Sequence, residues 1–209
     1  MGDLVMADKL ETEGKSLLKE MQGKELSEEN LEKYSKKLSA VFAEASKSGK
    51  AGKDVFGITP QVMEGFYTHA YNLYNQGKYL EASHLFRVLI MLDGECFKYV
   101  LGLAACLHMT KHWLEAAMIY SMASLLDPSS PLPYYHASDC YLNGDQIKQA
   151  AVSLEMCIEA AGDNETFKLL KKRAQMTLDN LLEQISEEDG GRRKTSEKAK
   201  IKKKSKKKK

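Results

Sequence analysis

The sequence predicts an all-α fold: a helical solenoid of three helix hairpins, preceded by an N-terminal helical arm and closed by a C-terminal capping helix. Two observations carry this. Ala82 recurs as Ala116 and Ala150, and Phe86 as Tyr120 and Leu154, a strict period of 34 residues. A fixed period of that length marks a helix-turn-helix array in which each hairpin buries its apolar face on its neighbours. The second observation is punctuation in the same phase. The turns Gln76-Gly77-Lys78, Thr110-Lys111-His112 and Asn143-Gly144-Asp145 and the stops Asp93-Gly94, Asp127-Pro128 and Gly162 divide each repeat into two helices. Glycine tolerates the left-handed cap at a helix end, and proline cannot continue a helix.

The elements follow in order. Residues 1–51 form an N-terminal helical arm and hinge. Its first stretch, with Leu4, Leu10, Leu17, Leu18 and Met21 among many charges, is too weakly patterned to predict order. Ser27 is placed to cap a helix whose Leu31, Tyr34, Leu38, Val41 and Phe42 make one apolar stripe. That stripe either packs on the repeats or pairs with a second copy as a dimer arm. The small, polar segment from Ser46 to Gly52 reads as the hinge.

Residues 52–188 form the repeat domain. Thr59-Pro60 supplies a cap followed by proline at the first helical position. The repeats span 63–96, 97–130 and 131–164, and a helix over 165–185 with Phe167, Leu170, Ala174, Leu178, Leu181 and Ile185 on one face covers the open end. Residues 189–209 form a basic tail. Twelve of the chain's 31 basic residues and one of its 29 acidic residues lie from Arg192 onward, so the stretch 192–209 carries +11 and the rest of the chain −9. With almost no apolar content the tail is expected to be disordered, and contact with a polyanion is its one functional reading.

Within each hairpin the small residues mark where helices approach. Ala70 and Ala82, like Ala104 and Ala116, are predicted at hairpin crossings, where a larger side chain would push the axes apart. Phe66, Ala70 and Leu73 form the stripe facing the partner helix. Tyr67, Tyr71 and Tyr74 share the spacing one residue on, and the same phase gives Leu101, Ala105 and His108 in the second repeat and Tyr135, Asp139 and Leu142 in the third. A face of this kind is apolar yet able to hydrogen-bond, which suits an extended peptide better than a metabolite.

The pattern resembles the tetratricopeptide repeat, most fully in repeat two with Val100, Leu103, Ala104, Leu107, Ala116, Tyr120, Ala123 and Pro128. In such arrays the second stripe lines a concave groove. The run from Ala70 to Ala82, then Phe86-Arg87, Leu92-Asp93, Gly102-Leu103-Ala104-Ala105, Pro133-Tyr134-Tyr135-His136-Ala137 and Cys140-Tyr141-Leu142, resembles the class II chaperones of bacterial type III secretion, the LcrH/SycD-like family. The resemblance extends from about Gly52 to Leu182 and falters in the long N-terminal extension and the lysine-rich tail. It implies a cytoplasmic bacterial chaperone that holds hydrophobic translocator proteins before secretion. It also implies that a short extended client motif, Pro-x-Leu-x-x-Pro in type, lies in the groove formed by the nine positions just named, and that the chain dimerises through N-terminal helices. A generic tetratricopeptide adaptor for another peptide is the alternative.

Other classes fit less well. A carboxylate-clamp adaptor needs Lys and Asn where Tyr67, Tyr71 and Ala105 stand. No GxSxG, phosphate-binding loop or dinucleotide fingerprint is present, so no catalytic residue or cofactor is assigned. His108 and His112 have no third ligand beside them, so no metal site is assigned, and Cys96, Cys106, Cys140 and Cys157 make no CxxC pair and read as buried thiols. The longest apolar run, Val100 to Leu107, is too short to span a membrane, and Asp3, Asp8, Glu11 and Glu13, with no apolar run of signal-peptide length among the first twenty-five residues, argue against a cleaved export signal.

Overall fold

The structure is a computed structural model that describes residues 2–21, 28–47 and 49–206. It divides into two compact units, Met1–Thr110 and Lys111–Lys209. Among the described residues there are helices and no strand.

The first unit opens with α1 (Gly2–Met21), α2 (Glu28–Lys47) and the short α3 (Gly52–Val55). Although its weak apolar pattern does not predict order, α1 is a helix that buries Leu10 and Leu17. Leu10 meets Ala45 and Val55 in a small core that Val41 completes. Gly14 makes this approach possible, since a Cβ there would lie 2.6 Å from the Val55 carbonyl oxygen. The Phe42 ring packs on Phe56 at 5.1 Å. The α2 stripe is therefore partly spent inside the chain: Leu38, Val41 and Phe42 are half-buried. The side chains of Leu31 and Tyr34, and Ser27 altogether, lie outside the described residues. Lys53 then ties α3 to the end of the first repeat through an ion pair with Asp93.

The helices α4 (Pro60–Asn75), α5 (Tyr79–Leu92) and α6 (Phe97–Met109) complete this unit. As expected, Pro60 opens α4, and the Thr59 hydroxyl accepts from the Val62 amide. Ala70, Ala82 and Ala104 are fully buried and Phe86 nearly so. One placement differs from the sequence expectation. Phe66 is 41% exposed, whereas its counterpart one repeat on, Val100, is 2% exposed. Helix α4 packs on α5 and α6 through its other side.

The second unit contains α7 (Trp113–Leu126), α8 (Pro131–Asn143), α9 (Ile147–Ala161), a 3₁₀ turn over Glu165–Phe167 and α10 (Lys168–Lys206). Ala116 and Ala150 are fully buried, with Tyr120 and Leu154 beside them in the sequence pattern at 2% and 1% exposure. Most of the expected capping face is present: Ala174, Leu178 and Leu181 of α10 pack against Ala150, Ala151, Leu154 and Cys157 of α9, with Leu170 and Ile185 at the edge, while Phe167 lies in the 3₁₀ turn outside this cluster. Beyond that face α10 continues through Gly190-Gly191 to Lys206, into the stretch 189–209 for which composition predicts disorder. Lysine, arginine, glutamate and alanine are good helix formers and favour propagation from the turns packed on α9, against about 1 kcal/mol for each of Gly190 and Gly191.

The three hairpin turns share one backbone device. Gly77, Lys111 and Asp145 all have positive φ, at 77°, 63° and 57°. They stand 34 residues apart, which makes the left-handed position a property of the repeat. In the third turn that position falls on Asp145, and the neighbouring Gly144 has φ −98°. The missing side chain of Gly144 serves packing instead, because a Cβ there would lie 3.1 Å from Leu114 Cδ2.

Candidate peptide-binding faces

Of the nine candidate positions, six lie in the first unit and three in the second. On α4 the i, i+4, i+7 spacing places Tyr67, Tyr71 and Tyr74 along one side. Tyr67 is half-buried and central: its ring stacks with Tyr71 at 6.2 Å, tilts against Tyr99 at 5.8 Å and meets Phe86 edge-on at 6.3 Å. Tyr67 thus belongs to both stripes, reaching the hairpin core through Phe86 while its neighbour Tyr71 stands 50% exposed. Tyr74 packs edge-on against Tyr79 at 5.2 Å. Leu101, Ala105 and His108 are half-buried on α6.

Charge is placed at the edge of this aromatic group. The Lys98 ammonium sits 4.2 Å from the centre of the Tyr67 ring and 5.6 Å from that of Tyr99, a cation–π arrangement. It also donates to Glu64 Oε2 at 2.6 Å, which raises the Lys98 pKa. Burial pushes the Tyr67 hydroxyl above its ordinary range, with Lys98 pulling partly the other way. Burial likewise raises Tyr74, and it raises Tyr99 to about 12. All three hydroxyls therefore stay protonated at neutral pH and can both donate and accept. The face offers flat apolar surface, hydroxyls suited to a peptide backbone, and one cation.

The second unit carries a smaller face on α8, where Tyr135, Asp139 and Leu142 are half-buried. The Tyr135 ring lies 5.9 Å from His136, which stacks on Tyr120 at 5.4 Å. Ser138 Oγ donates to the Tyr135 carbonyl at 2.6 Å, and Asn143 Nδ2 donates to the Asp139 carbonyl at 2.8 Å, so the helix surface here is locally braced.

Tyr99 was not legible by phase, because it stands one repeat from Gly65 and so has no aromatic counterpart. The Glu64–Lys98 pair was also missed, although its 34-residue separation is the one signal that could have found it. Among the described residues no cluster of three His, Cys, Asp or Glu side chains is arranged to hold a metal ion, and no helix is long and apolar enough to cross a membrane.

The fold is that of a helical repeat protein with an exposed aromatic face on its first unit, and comparison with known proteins places it more narrowly. The tetratricopeptide repeat family matches residues 63–95. The chaperone protein SicA of Salmonella typhimurium is 31% identical over 150 residues, covering 70% of this chain and 88% of SicA. Among solved structures, the Yersinia enterocolitica type III secretion chaperone SycD, in complex with a peptide of the translocator YopD, matches with a TM-score of 0.58 at 28% identity, over 61% of this chain and 97% of SycD. A further SycD structure, described as an alternative dimer, matches with a TM-score of 0.57 at 28% identity, over 61% and 96% of the two chains. The chain belongs to this family of type III secretion translocator chaperones.

Proposed function

We propose that this protein is a cytoplasmic, non-enzymatic bacterial chaperone that holds an extended segment of a hydrophobic translocator, keeping that client soluble and apart from its partners before secretion. The observation that carries the reading is the aromatic face of the first unit: Tyr67 fixed between Phe86 and Tyr99, with Tyr71 stacked on it and half open to solvent. Rings held from behind lose little side-chain entropy when a client covers them, so contact there is productive. Each large apolar client side chain buried on such a face contributes about 1.5–3 kcal/mol. Tyr135, Asp139 and Leu142 form the second unit's contribution. We also infer homodimerisation, consistent with the dimeric SycD, with Leu38, Val41 and Phe42 contributing the surface that their packing within the chain leaves open.

The test is isothermal titration of the full chain with a synthetic translocator segment of the Pro-x-Leu-x-x-Pro type. Tyr67→Ala combined with Tyr71→Glu is expected to weaken binding by about tenfold to a hundredfold, the equivalent of one lost apolar contact. Equal affinity in a variant with an unchanged circular dichroism spectrum would remove the aromatic face from the proposal.

A further inference from the structure

Helix α7 is apolar on both sides. Its inner side holds Ala116, Ala117, Tyr120 and Ala123, all buried. Its outer side carries Leu114, Met118, Met122 and Leu125, which are 49% to 80% exposed. A helix that is hydrophobic all round belongs in an interior, yet this one shows half its apolar surface to solvent. The four residues are spaced i, i+4, i+8, i+11, a ridge about 16 Å long. Beside it, Ser121 of α7 and Val152 and Met156 of α9 line an open depression of about 560 Å³. Leu114 leans on the turn at Gly144, the position where any Cβ would crowd it. The surface lies wholly within the second unit and contains none of the nine candidate peptide-binding residues.

We propose that this ridge and depression form a second docking site, which takes the apolar side of an amphipathic α-helix with basic flanks, carried by a protein partner. Shape favours a helix. A ridge at i, i+4 spacing beside a depression is what another helix interdigitates with, and its length matches about three turns of a partner. Unbranched methionine thioethers at Met118, Met122 and Met156 adapt to differing apolar side chains. Charge selects among apolar occupants. Asp145 and Lys148 line the depression, and the two helices that supply the surface carry exposed Glu115 on α7 and Glu155 and Glu159 on α9, with Lys111 exposed just before α7. That acidic surround repels the anionic headgroups of a membrane and the identical surround of a second copy, and it attracts lysine and arginine flanking an apolar stripe.

The probe is a fluorescent Leu/Lys amphipathic peptide of about five helical turns, titrated into the full chain by fluorescence anisotropy. Met118→Gln with Met122→Gln removes apolar surface without changing charge and is expected to weaken binding by about tenfold. Glu155→Lys with Glu159→Lys is expected to weaken it similarly and to flatten its salt dependence. Tyr67→Ala with Tyr71→Glu should leave it unchanged. Because Met118, Met122, Glu155 and Glu159 are exposed, the Met pair and the Glu pair should each keep the wild-type melting curve. The proposal is overturned if the Met pair binds within about twofold of wild type, or if a Leu/Glu peptide of equal length binds as well as the Leu/Lys one. It is also overturned if light scattering shows that the Met pair dissolves a dimer formed without peptide, which would make the face a contact between copies.

Discussion

Replacing Gly102 by alanine adds one methyl group to the middle of α6, and helix propensity alone favours the change by about 1 kcal/mol. The surroundings oppose it. A Cβ at Gly102 would lie 2.5 Å from Cζ and 2.8 Å from Cδ1 of Phe86, where carbon atoms need about 3.5 Å. The ring must therefore retreat by about 1 Å. Phe86 is 2% exposed and carries Tyr67 edge-on against it, so it has no free side to move into. Overpacking of this kind costs about 1–3 kcal/mol, which cancels or outweighs the propensity gain and leaves a net loss of up to about 2 kcal/mol. At about 2–4 °C per kcal/mol for a chain of this size, the melting temperature should fall by up to about 8 °C. Gly65 of α4, in the same unit, is the internal control. A Cβ there meets nothing within 4 Å, so Gly65→Ala should gain up to about 1 kcal/mol and melt about 2–4 °C higher. The assay is thermal melting by far-UV circular dichroism. A Gly102→Ala protein as stable as Gly65→Ala would refute the close approach of α6 to Phe86 and, with it, the support claimed for Tyr67.

Further outcomes follow from burial and backbone geometry. Burial raises Cys106 and Cys140 to about 12, Cys157 to about 11 and Tyr99 to about 12. The unfolded chain releases these protons from about pH 9 upward while the folded chain retains them. Their contribution to stability is thus complete below about pH 9 and is lost as pH climbs toward about 12. Urea midpoints that stay flat across that window would contradict it, as would a thiol reagent that labels native Cys106, Cys140 or Cys157 as fast as Cys96. Gly14→Ala must lift α1 from Val55 and should cost about 1–3 kcal/mol, visible as faster hydrogen exchange in α1 with α10 unaffected. Lys111→Gly relieves a left-handed backbone at a non-glycine residue and should stabilise the chain by about 1 kcal/mol, read as a higher melting temperature.

The sequence made the hairpin cores legible because close packing repeats its demands. Ala82, Ala116 and Ala150 are small for one reason, and Phe86, Tyr120 and Leu154 fill one place. Periodicity failed where the surroundings are not periodic. Phe66 and Val100 are equivalent by phase, yet Phe66 is 41% exposed and Val100 2%. The stripe Tyr67-Tyr71-Tyr74 was readable as a unit, yet its division into a wedged ring, an open ring and a ring paired with Tyr79 depends on contacts made by α5 and α6. Lys98 was hidden because its effect comes from where Glu64 and Tyr67 hold it, which composition does not encode. In the arm, α1 carried few apolar residues, and its order rests on Leu10 and Leu17 meeting a site that Gly14 opens.

The most direct measurement places a photo-crosslinking amino acid at position 71 and, in a separate protein, at Arg87 on the exposed side of α5, in full chains co-expressed with a translocator client. A crosslink from position 71 that maps to one short extended client segment, with little from position 87, is the expected result. Crosslinking from position 87 with none from position 71 would contradict the assignment of the aromatic face of α4 as the surface that holds the client.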